Sequence, residues 1–216
     1  MKKFWREKNR LRRLEAALLA GLAAAVLSGA VLKEEQTDLA DKLIRLHVVA
    51  NSDSEADQTL KLAVRDRILE EAEGLIPPGS SREEAMALLS GHLEELAAAG
   101  AAAVAEEGYA YPVIASLEED VWFPTKTYTD FALPAGNYTA LRLVIGTGGG
   151  QNWWCVVFPP LCLGSVTEAV AQSAPEEAFS AREVALITGE DEGYIVKFKT
   201  MELLAQAEEW LSGWTR

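Results

Sequence analysis

The sequence contains few of the residues that metal sites and phosphate sites require. Its 216 residues include only two histidines and two cysteines, which are too few and too badly spaced for a closed zinc site. The run Gly148-Gly149-Gly150 lacks the Lys-Ser/Thr pair of a phosphate-binding loop and precedes a predicted strand instead of a helix, so it indicates a flexible loop. We therefore expect no metal and no cofactor.

Basic residues are scarce outside the first thirteen positions. The chain has 20 Lys and Arg against 33 Asp and Glu, a formal net charge of −13. Residues 2–13 hold seven basic side chains and one acid, so the rest of the chain is more acidic still. Such a domain lacks the basic face that nucleic acid requires, and anionic lipid would repel it. Small molecules, peptides and proteins remain as partners.

The segment from Ala16 to Leu32 has no charged residue. A basic flank followed by an apolar run is typical of an export signal whose positive end stays in the cytoplasm. The run is shorter than the about 20 residues that span a bilayer, so a signal peptide cleaved after Ala30 and an uncleaved anchor over residues 14–32 both stay open. The third alternative is a soluble cytoplasmic helix. We assign residues 1–32 to a signal peptide or membrane anchor and residues 33–216 to one extracytoplasmic domain.

Hydrophobic periodicity predicts the elements of this domain. Residues 43–50 alternate as in a strand, with Arg45 and His47 on the face opposite an aliphatic row. Ser52 and Glu55 form a capping-box pattern that predicts the start of a helix. Residues 153–158 are apolar on both faces, which indicates a central strand or one that is covered on each side. The other predicted elements are strands at 112–117, 138–145 and 194–199 and helices from 82 to a break at Gly100, at 176–186 and at 201–213.

This order of elements predicts an α+β fold. We expect a single domain in which an antiparallel or mixed sheet packs against helices, preceded by the N-terminal signal or anchor helix.

Several long strings of the sequence resemble the stage II sporulation protein R family. The amino-terminal block consists of LIRLHVVANSDS at 43–54 and LKLAVRD at 60–66. The later blocks are WFPTKTY at 122–128, LPAGNY at 133–138, LRLVIG at 141–146 and GQNWWCVVFPPLCL at 150–163. The resemblance covers roughly residues 40–70 and 110–165, and strings of this length and composition are specific.

The resemblance implies a secreted signal and not an enzyme. Members of this family are made in the forespore of endospore-forming bacteria and exported into the space between forespore and mother cell. There they activate a membrane-embedded aspartic protease of the mother cell, which processes the precursor of a mother-cell sigma factor. The resemblance therefore implies this protease as the partner, with membrane contact only through an uncleaved N-terminal segment. The sequence leaves the oligomeric state open.

Cys155 and Cys162 have three alternative roles. In an oxidising compartment they are a candidate disulfide, and a hairpin with its tip at Phe158-Pro159 would place them on facing strands. Two buried free thiols are the second alternative. The third is an extracytoplasmic Cys-His hydrolase in which His47 and Asp53 assist Cys155. The apolar neighbours of Cys155 oppose this role, because a reactive thiolate needs polar surroundings.

The candidate contacts with a protein partner fall on predicted loops and strand ends. Aromatic residues on loops are typical of interfaces, but Trp122 would equally fill the edge of the core. Asn51, Ser52 and Asp53 are also typical helix-capping residues, and His47 is also a hydrogen-bonded structural histidine. Exposed tryptophans leave open a module that binds a wall fragment. The candidate contacts are His47, Asn51, Ser52, Asp53, Trp122, Lys126, Tyr128, Gly149, Gly150 and Asn152.

Overall fold

The computed structural model describes residues 13, 15–17, 19–21, 31, 34–128, 131–162, 179–189, 199–200 and 202–203. Most of the predicted signal or anchor segment, with its cleavage point after Ala30, lies outside the described residues. The predicted strand positions 194–198 and most of the closing helix lie outside them as well, so the division of the chain at residue 32 stays a prediction. Where the structure describes the chain, none of its helices is both long enough and apolar enough to cross a bilayer.

A mixed four-stranded sheet with helices packed on it forms the centre of the molecule. Its strand order is β2-β5-β1-β6, with β1 parallel to β5 and antiparallel to β6, and β2 antiparallel to β5. The predicted α+β fold with a mixed sheet is thereby confirmed. The strands are β1 (Ile44–Val49), β2 (Val113–Phe123), β3 (Lys126–Thr127), β4 (Ala132–Leu133), β5 (Gly136–Ile145) and β6 (Asn152–Phe158). The helices are α1 (Glu55–Leu75), α2 (Arg82–Gly91), α3 (Leu93–Glu106) and α4 (Ala181–Thr188).

Helices α1, α2 and α3 cover the first face of the sheet. Successive side chains of a strand point to opposite faces, and Leu46 and Val48 of β1 point to this one. They share a buried core with Leu60, Val64 and Ile68 of α1, which recur every fourth residue and so form one stripe of the helix. The periodicity of the sequence therefore predicts this layer correctly.

The helix boundaries correct two details of the sequence analysis. Ser54, and not Ser52, is the N-cap of α1, since its side chain accepts a hydrogen bond from Asp57 N at 3.1 Å. The helix that is predicted to break at Gly100 breaks instead at His92, between α2 and α3. Gly100 lies in the middle of α3. Gly100 is needed there because a Cβ would lie 2.9 Å from Val113 Cγ1, so it permits close approach of helix and sheet.

The second face of the sheet carries a smaller core over one of its halves. Residues 34–40, which are helical, contribute Leu39; β4 contributes Leu133 and α4 contributes Ile187. A 2.7 Å salt bridge from Lys42 to Glu183 joins α4 to the segment that leads into β1. The side chains on the other half of this face are more exposed. Among the described residues there, Ile114 is 62% exposed.

β6 is an edge strand among the described residues. Its residues Cys155–Phe158 are buried whichever face they point to. The predicted covering on each side is therefore confirmed. Among the described strands β1 and β5 are the inner ones, so the alternative of a central position for β6 is wrong there. The predicted strand at 194–199 is also wrong at its last residue, because Lys199 is helical.

Candidate functional site

Two loops meet at the carboxyl end of β1. The first follows β1 and begins with Asn51, and the second joins β5 to β6 through residues 146–151. Gly149 N donates to Asn51 O at 3.1 Å, and Thr147 N donates to Asn51 Oδ1 at 3.0 Å. Predicted contacts that are far apart in the sequence therefore lie side by side here.

The second loop needs its glycines for close approach to the first. A Cβ on Gly150 would overlap Ser52 O and lie 2.5 Å from the Ser52 carbonyl carbon. Gly146 and Gly148 have φ of 59° and 64°, in the left-handed region that favours glycine. The sequence indicates a flexible loop at this position, whereas the structure holds it by backbone contacts with the first loop.

Asp57, a buried residue of α1, holds the first loop in place. Its Oδ2 accepts hydrogen bonds from Ser52 Oγ at 2.5 Å and from Asn51 Nδ2 at 2.9 Å. These hydrogen bonds, the Ser52 hydroxyl first among them, lower the pKa of Asp57. The polar atoms of Asn51 and Ser52 are therefore used within the fold, and the exposed Asp53 beside them is free to face a partner.

A buried lysine lies behind the two loops. Lys61 Nζ donates to Gln151 O at 3.0 Å and to Gln58 Oε1 at 2.6 Å. Burial lowers the pKa of Lys61, Asp53 opposes this shift, and nearby cations, Lys126 among them, reinforce it. Asp53 and Lys126, both predicted contacts, are thus close enough to Lys61 to affect its pKa.

His47 is bonded to Asn152 and almost enclosed. Its Nε2 lies 2.8 Å from Asn152 Oδ1, and its ring stacks on Trp154 with centroids 4.1 Å apart. Burial is the main cause of the lowered pKa of His47; Asn152 and Glu118 raise this pKa, and Arg142 lowers it further. Since an amide oxygen can only accept, Nε2 is the donor to Asn152 Oδ1, and His47 thereby orients the exposed Asn152 side chain.

Arg45 is a buried residue of the second face that the sequence analysis did not single out as functional. Its Nε donates to Cys155 O at 2.8 Å and its Nη2 to Tyr128 Oη at 3.1 Å. The guanidinium carbon lies 4.3 Å from the Phe123 ring centre and 4.8 Å from that of Tyr138. These rings surround the cation where the described residues supply no salt-bridge partner for it. The hydroxyl of the predicted contact Tyr128 is therefore used inside the molecule.

Cys155 and Cys162 form a disulfide, and their Cα atoms are 6.4 Å apart. Cys155 lies in β6, whereas Cys162 lies in the turn that follows the strand. The predicted hairpin with the two cysteines on facing strands is therefore wrong: the bond joins a strand to a turn. Val156 N donates to Cys162 Sγ at 3.2 Å, which adds a second link between β6 and the turn. A sulfur that is bonded in this way is not available as the nucleophile of a hydrolase.

Trp122 lies apart from the two loops. It is half-buried on β2 opposite Asn137, at the far end of β5 from the glycine loop. The exposed residues of the two loops and of the start of β6 instead form the candidate surface, which we call the loop surface. It consists of Asp53, Thr147, Gly149, Gln151 and Asn152.

Comparison with known proteins places the sheet and both loops inside one family. The model of the family described as Stage II sporulation protein R (spore_II_R) matches residues 40–168, which include every strand from β1 to β6. Stage II sporulation protein R of Bacillus subtilis (strain 168) is 36% identical over an alignment of 166 positions, and the match covers 71% of this chain and 74% of the relative. No solved structure matches the chain.

Proposed function

We propose that this chain, which belongs to the stage II sporulation protein R family, is a signal that the forespore sends to the mother cell. Membership of the family gives the chain a role in sporulation. In our proposal the chain enters the space between the two cells and activates a membrane-embedded aspartic protease of the mother cell. That protease then processes the precursor of the mother-cell sigma factor. The observation that carries the proposal is the family match over residues 40–168.

One feature of the sequence and one of the structure support a site of action outside the cytoplasm. Residues 2–32 have the basic flank and uncharged apolar run of an export signal. The disulfide between Cys155 and Cys162 suits an oxidising compartment, because cytoplasmic thiols are kept reduced. We accordingly place the folded domain in the space between forespore and mother cell.

The loop surface suits recognition of a protein. Hydrogen bonds to Asn51 and Asp57 fix the two loops before any partner arrives. A surface that is already ordered loses little conformational entropy on binding, so more of the contact energy becomes affinity. The exposed Asp53 and Asn152 then present a carboxylate and an amide to the protease.

The alternative functions have less support. The hydrolase needs a free Cys155 thiolate near His47, but Cys155 is disulfide-bonded and His47 is bonded to Asn152. A module for a wall fragment needs exposed aromatic faces. Trp154 stacks on His47, and Trp153 lies under Arg65, whose guanidinium carbon is 4.5 Å from the ring centre, so one face of each ring is already covered.

Deletion of the encoding gene in the source bacterium tests the proposed function. Immunoblots should show that the sigma-factor precursor stays unprocessed, while a forespore-specific reporter is expressed normally. Supply of the intact chain from the forespore should restore processing. Normal processing in the deletion strain would refute the proposal.

A matched pair of charge reversals tests the loop surface. Asp53→Lys changes an exposed acid in it, and Glu83→Lys makes the same change in the first turn of α2, near the opposite end of β1. We expect Asp53→Lys to reduce processing several-fold at an equal protein level and Glu83→Lys to leave it normal, since rim charges steer association. If deletion blocks processing but both variants process normally, the function holds and the loop surface is not the contact.

A further inference from the structure

The two edges of the central sheet differ in how their backbone groups are used. On β6, Trp154 O accepts a hydrogen bond from Tyr128 Oη at 3.0 Å, and Val156 N donates to Cys162 Sγ at 3.2 Å. In a strand, the carbonyl of one residue and the N–H of the residue two positions later point to the same edge. The disulfide and Tyr128 therefore close this edge to any added strand.

Among the described residues, nothing pairs with the opposite edge, which β2 forms. Gly146 N donates to Pro112 O at 2.8 Å, and these residues lie opposite each other in the ladder in which Val113 opposes Ile145. Hydrogen-bonded and non-bonded pairs alternate between antiparallel strands. The backbone groups of Val113, Ala115 and Leu117 therefore point away from β5, and no described residue forms a hydrogen bond with them.

A bulge limits the length of this open edge. The register between β2 and β5 shifts between Glu118 and Val121, and Asp120 has a φ of 56°. Bulges bend and twist an edge so that regular pairing stops. The usable edge is therefore the five-residue segment 113–117, and the acids Glu118, Glu119 and Asp120 flank it.

The geometry points to an extended basic segment of a partner protein that adds to this edge as a fifth strand. Such a strand would exchange backbone hydrogen bonds with Val113, Ala115 and Leu117. Its side chains on the open half of the second face would lie beside Ile114, which is 62% exposed, and beside Glu118. Cross-strand neighbours favour apolar pairs and opposite charges. The segment should therefore carry an apolar residue beside Ile114 and a Lys or Arg four positions along, beside Glu118.

Charge favours this occupant over a second copy of the chain. Each copy has a net charge of −13, so two copies repel each other, whereas a basic segment is attracted. Like charges that meet across an interface oppose association. The proposal concerns a mode of binding and holds whichever protein supplies the segment, so it does not depend on the protease being the partner.

Hydrogen exchange of the full chain with two synthetic peptides tests the proposal. The probe is acetyl-Thr-Ile-Thr-Thr-Thr-Lys-Thr-amide, and its control has Glu in place of Lys. NMR of labelled chain should show that the Lys peptide slows exchange of the Val113, Ala115 and Leu117 amides. The Glu peptide should bind several-fold more weakly at low salt, and this difference should shrink at about 1 M salt, where screening is strong.

Two variants separate the backbone and the charge contributions. Ala115→Pro removes one outward N–H and keeps the ladder to β5, so it should weaken binding of the Lys peptide about tenfold. Glu118→Gln leaves the backbone edge intact and should reduce the preference for Lys over Glu. The proposal fails if neither peptide protects these amides, if Ala115→Pro with normal β5 exchange binds as tightly as the wild type, or if sedimentation shows that the chain dimerises through this edge. If Ala115→Pro does not fold, the exchange map and Glu118→Gln decide.

Discussion

Substitution of Gly150 by alanine should damage the junction of the two loops. The added Cβ would overlap Ser52 O and lie 2.5 Å from the Ser52 carbonyl carbon and 2.9 Å from Ala50 Cβ. Carbon atoms in contact prefer about 3.5–4.0 Å. The two backbones would have to move apart by about 1 Å. That movement stretches the hydrogen bonds from Gly150 N to Ala50 O, at 3.0 Å, and from Gly149 N to Asn51 O, at 3.1 Å.

The expected cost follows from these two effects. A lost backbone hydrogen bond costs about 0.5–1.5 kcal/mol, and overpacking costs about 1–3 kcal/mol. Because two hydrogen bonds are weakened and the site is overpacked, Gly150→Ala should lower the free energy of unfolding by about 2–6 kcal/mol, a large value for one substitution. Gly149→Ala is the matched control, because its Cβ would lie 3.3 Å from Asn51 O and 3.5 Å from Thr147 Oγ1. The small adjustment that this requires is offset by the lower entropy of the unfolded chain, so its effect should stay within about 1 kcal/mol.

Urea unfolding of both variants, followed by circular dichroism, measures these differences. The slope of the free energy against urea should match that of the wild type, because the surface exposed on unfolding is the same. Faster amide exchange at residues 149 and 150 in Gly150→Ala would locate the damage at the loops. Equal losses in the two variants, or a loss below about 1 kcal/mol in Gly150→Ala, would refute the steric account.

Two further predictions concern the disulfide and His47. Reduction of the bond between Cys155 and Cys162, or Cys162→Ser, should each lower the free energy of unfolding by about 2–3 kcal/mol, because the unfolded chain regains a short loop's freedom; urea midpoints with and without reductant measure this, and an unchanged midpoint would contradict it. Burial lowers the pKa of His47 below its ordinary 6.5, so the unfolded chain binds a proton more readily than the folded one as the pH falls through this value. The stability linked to His47 is thus present above about pH 6.5 and is lost as the pH falls towards the folded pKa. Stability should accordingly fall less steeply below pH 6.5 in His47→Gln, and identical pH profiles would exclude this linkage.

The sequence predicts the helical layer of this fold well, and the physical reason is local. Alternation in residues 43–50 and the four-residue repeat from Leu60 to Ile68 depend only on the period of a strand or helix. The position of a strand within the sheet is not local. The apolar run of β6 suits a central strand, yet among the described strands β6 lies at the edge of the sheet. The turn with Cys162 and the side chain of Tyr128 take the place of a neighbouring strand on its outer side.

The candidate site shows the same division. Local composition predicts Asn51, Gly149 and Gly150 as contacts, and the structure brings them together through backbone hydrogen bonds that no spacing in the sequence reveals. The reason for the glycines is also nonlocal, since Ser52 is the residue that a Cβ on Gly150 would meet. Arg45 was missed as a buried cation because alternation places it on a face that appears polar. The aromatic rings that surround it come from β2 and β5.

The position of β1 between β5 and β6 determines when the domain can fold. Of the described strands, β1 leaves the ribosome first. Its neighbours β5 and β6 follow in the chain only after three helices and β2. The hydrogen bond from Arg45 Nε to Cys155 O joins residues that are 110 positions apart in the sequence. Sheets with such nonlocal pairing form slowly, because a long loop must close before any contact is gained. A chain that crosses a membrane amino end first would thus remain unfolded until β6 had followed, and its late closure would keep it in the form that a translocation channel can pass.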